Sequence, residues 1–187
     1  MITIVSGLPR SGTSMMMRFL EAGGLEPLTD GVRQADEDNP RGYYELERAK
    51  SIRDDTSWLA EAEGRVFKMV SMLLFHLPPE RRYKIILMRR DLDEVLASQA
   101  VMLRRRGQAE GQPPDEKMKK LFETHLDEVE RFLAGQPSMN ALPCAFRRVI
   151  EDPAGTARRL ADHLDLDLDT NRMAAVIEPG LYRQRQG

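Results

Sequence analysis

The first apolar run, Ile2 to Ser6, is short, β-branched and closed by Gly7, which predicts a buried strand. Leu8 to Thr13 contains Pro9 and Gly12 and reads as a loop, and Ser14 to Ala22 as a helix stopped by Gly23 and Gly24. Residues 25–44 are polar and rich in Pro, Gly and Asp, so a long irregular loop is expected there. Glu45 to Ala62 is read as helical, Arg65 to Met69 as a short strand, and Lys84 to Met88 as a clearer strand followed by a helix over Asp91 to Leu103. Arg104 to Pro114 is a basic, then Gly/Pro-rich break, read as a mobile segment. Beyond it, apolar residues fall at Met118, Leu121, Phe122, Leu126, Val129, Phe132 and Leu133. That spacing predicts a helix with one buried face. A strand over Ala141 to Phe146 and a helix over Pro153 to Leu164 close the pattern.

Strands that alternate with helices predict a single α/β domain, three layers deep, with a parallel central sheet and helices on both faces. In such sheets ligands bind beyond the C-terminal ends of the strands. The chain has 187 residues with 28 basic and 30 acidic side chains, for a net charge of −2. This balance gives no global pull toward nucleic acid or an anionic membrane, so an anion site has to be local. The single cysteine, Cys144, rules out an internal disulfide and a cysteine-rich metal site. The N-terminus lacks the charged and cleavage regions of a signal peptide, and no apolar run reaches the ~20 residues of a membrane helix. A cytoplasmic protein is the expectation.

Gly7-Leu-Pro-Arg-Ser-Gly12-Thr-Ser14 lies between the first strand and the first helix with the Gly-x4-Gly spacing of a phosphate loop. Gly12 allows the backbone to curl, its N–H groups turn inward, and the helix N-terminus adds partial positive charge. Thr13 and Ser14 offer hydroxyls. The lysine that follows the second glycine in nucleotide triphosphatases is replaced by Thr13, and the cation lies inside the loop as Arg10. The Lys84–Met88 strand runs into Arg89 and Arg90 instead of a metal-holding Asp, so the parts for ATP hydrolysis are incomplete and no metal is expected. Arg90 at that strand's mouth and Ser98 two turns along the next helix suit a second phosphate; pairing of Arg89 and Arg90 with Asp91, Asp93 or Glu94 is the alternative.

Together these segments resemble the sulfotransferases that use 3′-phosphoadenosine 5′-phosphosulfate (PAPS), with a P-loop type of α/β fold. The first match is Pro9-Arg10-Ser11-Gly12-Thr13-Ser14, and the resemblance implies that it holds the 5′-phosphosulfate. The second is Arg90 with Ser98 eight residues on, implied to hold the 3′-phosphate. Asn39-Pro-Arg-Gly-Tyr-Tyr-Glu45, Val66-Phe-Lys68-Met and Glu178-Pro-Gly-Leu-Tyr-Arg183 are similar to segments of bacterial-type members. The Lys-Thr-His segment of the animal enzymes is not matched, because Val70 stands where their histidine does, and their C-terminal adenosine clamp has no counterpart.

The resemblance implies transfer of a sulfuryl group from PAPS to a hydroxyl or amine of a small-molecule or peptide acceptor. Arg10 is expected to stabilise charge on the leaving phosphate, Lys68 to add a second cation, and Glu45 to act as general base. Each has a plainer reading: Glu45 as a helix N-terminal acid, Lys68 as a solvated strand-end lysine. His76, His125 and His163 are read as non-catalytic, with His125 on the buried face of its helix and His76, in the loop before Pro78-Pro79, the one kept as an outside candidate. A P-loop kinase and a non-catalytic module that binds PAPS or its product PAP are the alternative functions. The loop and the Arg90–Ser98 pair are expected as two anion pockets held apart by about one nucleotide's length.

Overall fold

The computed structural model describes residues 1–31, 44–105 and 116–177. Four strands form its sheet: β1 (Ile2–Gly7), β2 (Val66–Val70), β3 (Tyr83–Arg89) and β4 (Met139–Ala145). They lie in the order β2-β1-β3-β4, and every pair is parallel. Side chains alternate between the faces as the strand period demands. Ile4, Phe67, Ile85 and Leu87 enter one core, while Val5, Val66, Ile86 and Met88 enter the other. Both faces are therefore apolar, which forces cover on both sides. Helix α4 (Glu116–Ala134) covers the first face with Val129 and Leu133. Helices α1 (Thr13–Ala22), α5 (Phe146–Glu151), α6 (Pro153–Leu164) and α7 (Thr170–Ala175) cover the second. Pro143 lacks a ladder N–H and is tolerated because β4 is an edge strand.

This topology decides where a ligand binds. The chain leaves β1 through α1 on one face to reach β2, and leaves β3 through α3 (Leu92–Arg105) and α4, with α4 on the other face, to reach β4. The winding reverses between β1 and β3, and a crevice opens at such a switch point. The loop after β1 and the Arg89–Arg90 junction after β3 flank that crevice.

The expected three-layer α/β fold is the one observed. The helices over Phe146–Glu151 and Thr170–Ala175 and the 3-10 helix over Ser71–His76 are additional to the expected elements, and one expected element changes in kind. The helix read over Glu45 to Ala62 is two short pieces, α2 (Glu47–Lys50) and a 3-10 turn (Ser57–Ala60). Leu46, Ala49, Ile52, Trp58, Leu59 and Ala62 are all buried in the first core, so the apolar spacing was sound. The break comes from Asp54 and Asp55, whose amides both donate to the Ser51 carbonyl, while the Asp55 carboxylate takes the Ser57 N–H at 2.9 Å. Local side-chain bonds of this type compete with helix continuation. Residues 39–43 of the Asn39–Glu45 segment, residues 106–114 of the break and the 178–183 tail lie outside the described residues.

Candidate active site

Gly12 caps α1 with φ 98°, a conformation that strains any L side chain. A Cβ there would also overlap the Phe146 ring, at 2.8 Å from Cε2 and closer still to Cδ2. Gly7 serves a second close approach, because a Cβ would sit 2.5 Å from Ser11 Oγ. Ser11 is buried beneath the loop, and its hydroxyl has no partner among the described residues. A buried, unpartnered hydroxyl at a helix N-terminus fits an anionic ligand.

Arg10 has φ 73°, a strained value for a residue with a side chain. Such strain persists only when neighbours over-determine it, and three hydrogen bonds from the β3–α3 side do so. The Arg10 Nε donates to Ser98 Oγ at 2.9 Å. Arg90 Nη1 donates to the Arg10 carbonyl at 3.1 Å, and Gln99 Nε2 donates to the Pro9 carbonyl at 3.2 Å. The two segments that sequence reasoning kept a nucleotide's length apart are thus knitted together. The reason is that β1 and β3 are adjacent strands, paired from Ile2–Tyr83 through Gly7–Met88.

Arg90 is itself held. Its Nε donates to Glu94 Oε2 at 2.9 Å in a buried ion pair one helical turn long, and its guanidinium lies 4.4 Å from the centroid of the Phe146 ring. The helix-pairing alternative and the anion-site reading therefore describe one arrangement. The carboxylate orients the guanidinium that also braces the loop. Arg89 instead pairs with Glu130 at 3.2 Å. Lys68 projects from β2 toward α1, where its Nζ donates to Ser14 Oγ at 3.3 Å. Arg10, Lys68 and Arg90, with Ser11, Thr13, Ser14 and Ser98, thus gather around the start of α1.

Glu45 stands just before α2. Its carboxylate is 3.6 Å from Lys50 Nζ, and its carbonyl accepts from Thr29 Oγ1 at 2.8 Å and from the Asp30 N–H at 3.2 Å. These contacts tie it to the 27–30 segment and to Lys50 of α2. Sequence reasoning named Glu94 only as one possible partner of Arg89 or Arg90 and passed over Phe146, because a core aromatic carries no distinctive spacing. It also passed over a polar pair beside the site. Ser71 opens a 3-10 helix (Ser71–His76) directly after β2, and its Oγ is 2.8 Å from His125 Nε2 on α4. Burial holds the His125 imidazole below its ordinary pKa, so it is the more readily neutral. Among the described residues no group of His, Cys, Asp and Glu gathers to hold a metal, and no helix is long and apolar enough to cross a membrane.

Comparison with known proteins follows the same lines. The sulfotransferase domain family model matches residues 2–182. No curated protein sequence matches the chain. Among solved structures, a sulfotransferase from Mycobacterium avium is similar at 14% identity and a TM-score of 0.58, covering 99% of this chain and 69% of its own. A sulfotransferase from Alicyclobacillus acidocaldarius is similar at 16% identity and a TM-score of 0.52, covering 96% and 87%. The sulfotransferase domain of a Synechococcus olefin synthase is similar at 17% identity and a TM-score of 0.50, covering 98% and 82%. At these identities the likeness is one of fold.

Proposed function

The chain belongs to the sulfotransferase domain family, and from that premise we propose that it transfers a sulfuryl group from PAPS to a hydroxyl or amine of an acceptor. One observation carries the reading: Arg10, Lys68 and Arg90 converge at the N-terminus of α1 and are cross-tied through Ser14, Ser98 and the Arg10 carbonyl. PAPS, when bound, supplies the activated sulfuryl group.

The residues have distinct tasks. The Ser11 to Ser14 backbone and hydroxyls hold the 5′-phosphate end at the helix N-terminus. Arg10, fixed by Ser98, directs its guanidinium to the charge that develops on the leaving phosphate, where a preorganised cation is most effective. Lys68 adds positive charge beside Ser14 and the transferred group. Arg90 and Ser98 hold the 3′-phosphate, with Glu94 and Phe146 setting the plane of the Arg90 guanidinium. Glu45, expected from sequence as the base, remains a candidate for the acceptor's proton. The acceptor is a small molecule or peptide, no nucleic acid or membrane partner is proposed, and the protein is assigned to the cytoplasm.

Calorimetric titration with PAP, ADP and ATP, each with and without Mg²⁺, tests the donor. PAP binding more tightly than ADP or ATP, and indifferent to Mg²⁺, supports the reading. Mg²⁺-dependent preference for ATP contradicts it and favours a kinase.

A further inference from the structure

The phosphate loop contains a turn that its own sequence disfavours. The Ser11 N–H donates to the Leu8 carbonyl at 3.1 Å, which closes a β-turn over Leu8-Pro9-Arg10-Ser11. Pro9 fixes a negative φ at the second position, and Arg10 has φ 73° at the third. That combination is a type II turn. Type II favours Gly or Asn at its third position, because the residue there is left-handed. Pro suits the second position of type I equally well, and an arginine suits its third position better, with φ about −90°. For an L residue the left-handed state costs the equivalent of about 5- to 30-fold in population. Contacts from outside the turn have to offset that factor.

The two turn types differ in the plane of the central peptide, here Pro9–Arg10. In type II its carbonyl points to one face of the turn, and in type I to the other. Gln99 holds that carbonyl, with Nε2 donating to it at 3.2 Å. Gln99 follows Ser98 on α3, so one helix meets the loop with two consecutive side chains. Ser98 takes the Arg10 side chain at Nε, and Gln99 takes the backbone before it. Arg90 Nη1 holds the next carbonyl, that of Arg10, from the β3–α3 side. A peptide's N–H lies opposite its carbonyl, so the Arg10 N–H is turned away from Gln99. Turns of this kind, with left-handed residues in the backbone, form anion-binding concavities, and Gly12 is left-handed as well. A flip to type I would put a carbonyl oxygen in place of that N–H and carry Arg10 out of the conformation in which its Nε meets Ser98.

We propose that Gln99 is a positioning residue for the nucleotide loop: through the Pro9 carbonyl it selects the type II turn, and so sets the left-handed Arg10 that faces the leaving phosphate. The proposal rests on the donor reading above and adds to it a residue that acts through Arg10 instead of on the nucleotide. Its signature is conditional. Gln99 matters where residue 10 resists a positive φ and ceases to matter where residue 10 accepts one.

Calorimetric titration with PAP tests it on the parent chain, on Arg10→Ala and on Arg10→Gly, each with and without Gln99→Met. Methionine keeps the length of the side chain and removes the donor. In the parent, Gln99→Met should weaken PAP about 2- to 13-fold, the equivalent of one hydrogen bond, with the circular dichroism spectrum unchanged. The same loss should persist in Arg10→Ala, where residue 10 still resists the turn but has no guanidinium to meet Ser98. In Arg10→Gly, glycine takes a positive φ freely, so adding Gln99→Met should change PAP affinity by less than about twofold. The proposal is overturned if PAP binding by the parent ignores Gln99→Met. An equal loss in the glycine background also overturns it, since Gln99 would then be a general brace. So does a loss confined to chains that keep the guanidinium, which would route the effect through Ser98. Those results leave PAP binding by the parent, and the donor reading, intact; failure of the parent chain to bind PAP removes both.

Discussion

Replacing Gly12 by Ala probes the packing that shapes the nucleotide loop. Two costs add. At φ 98° an alanine is strained, by about 1–2 kcal/mol for a left-handed L residue. Its methyl also drives into the Phe146 ring, 2.8 Å from Cε2, and overpacking of this kind costs about 1–3 kcal/mol. The expected destabilisation is about 2–5 kcal/mol, a large share of an ordinary domain's stability. Urea unfolding followed by circular dichroism measures it, with an unchanged m-value as the check that the unfolded state is not the cause. Phe146→Leu removes the ring edge, so in that background Gly12→Ala should cost only the conformational part, near 1–2 kcal/mol. The cycle then shows a coupling of about 1–3 kcal/mol. A cost below about 1 kcal/mol, or equal costs in the two backgrounds, would refute the claim that Phe146 and Gly12 are in tight contact.

Three further outcomes follow from the same geometry. Lys68→Met should lower turnover on PAPS by about 10²–10³-fold, the range for losing one preorganised charge stabiliser, while the thermal midpoint barely moves; steady-state kinetics beside a melting curve separates the two. Phe146→Leu removes the ring under Arg90 and should weaken PAP about 2- to 30-fold, the equivalent of a cation–π contact of about 0.5–2 kcal/mol, with ADP much less affected; equal losses for both nucleotides would mean that Phe146 does not act through Arg90. Burial pushes the Cys144 thiol up to about 11, so at pH 8 only about a thousandth is thiolate. A thiol reagent should label the native chain very slowly and the urea-unfolded chain at once.

Much of this fold is legible because its strands are buried on both faces and its helices on one. Ile85-Ile86-Leu87-Met88 feeds two cores in alternation, and no other element tolerates that run with so little polar relief. Helix α4 was legible for the opposite reason, its apolar residues keeping a 3.6-residue period to Leu133. Residues 45–62 were not, since the same buried positions serve a helix or a chain of turns, and the choice falls to the bonds of Ser51, Asp55 and Ser57. At the candidate site, Arg10, Arg90 and Ser98 were named from motif spacing and Lys68 from the family resemblance. Glu94 was legible only as one of three possible partners of Arg89 or Arg90, and Phe146 and the Ser71–His125 pair were not legible, because each acquires its meaning only when β1, β2, β3, β4 and α4 are laid side by side. His125 was read as a buried-face residue, and it is indeed partly covered; what the pattern could not convey is that the element covering it starts three residues after Lys68.

A crystal structure of the chain with PAP tests the central claim most directly. The account requires the 5′-phosphate within hydrogen-bond distance of the Ser11–Ser14 amides and hydroxyls, and the 3′-phosphate against Arg90 and Ser98, in one continuous cradle. A 3′-phosphate bound elsewhere, with Arg90 contacting only Glu94 and the Arg10 carbonyl, would reduce that arginine to a brace for the loop and contradict the assignment of the donor.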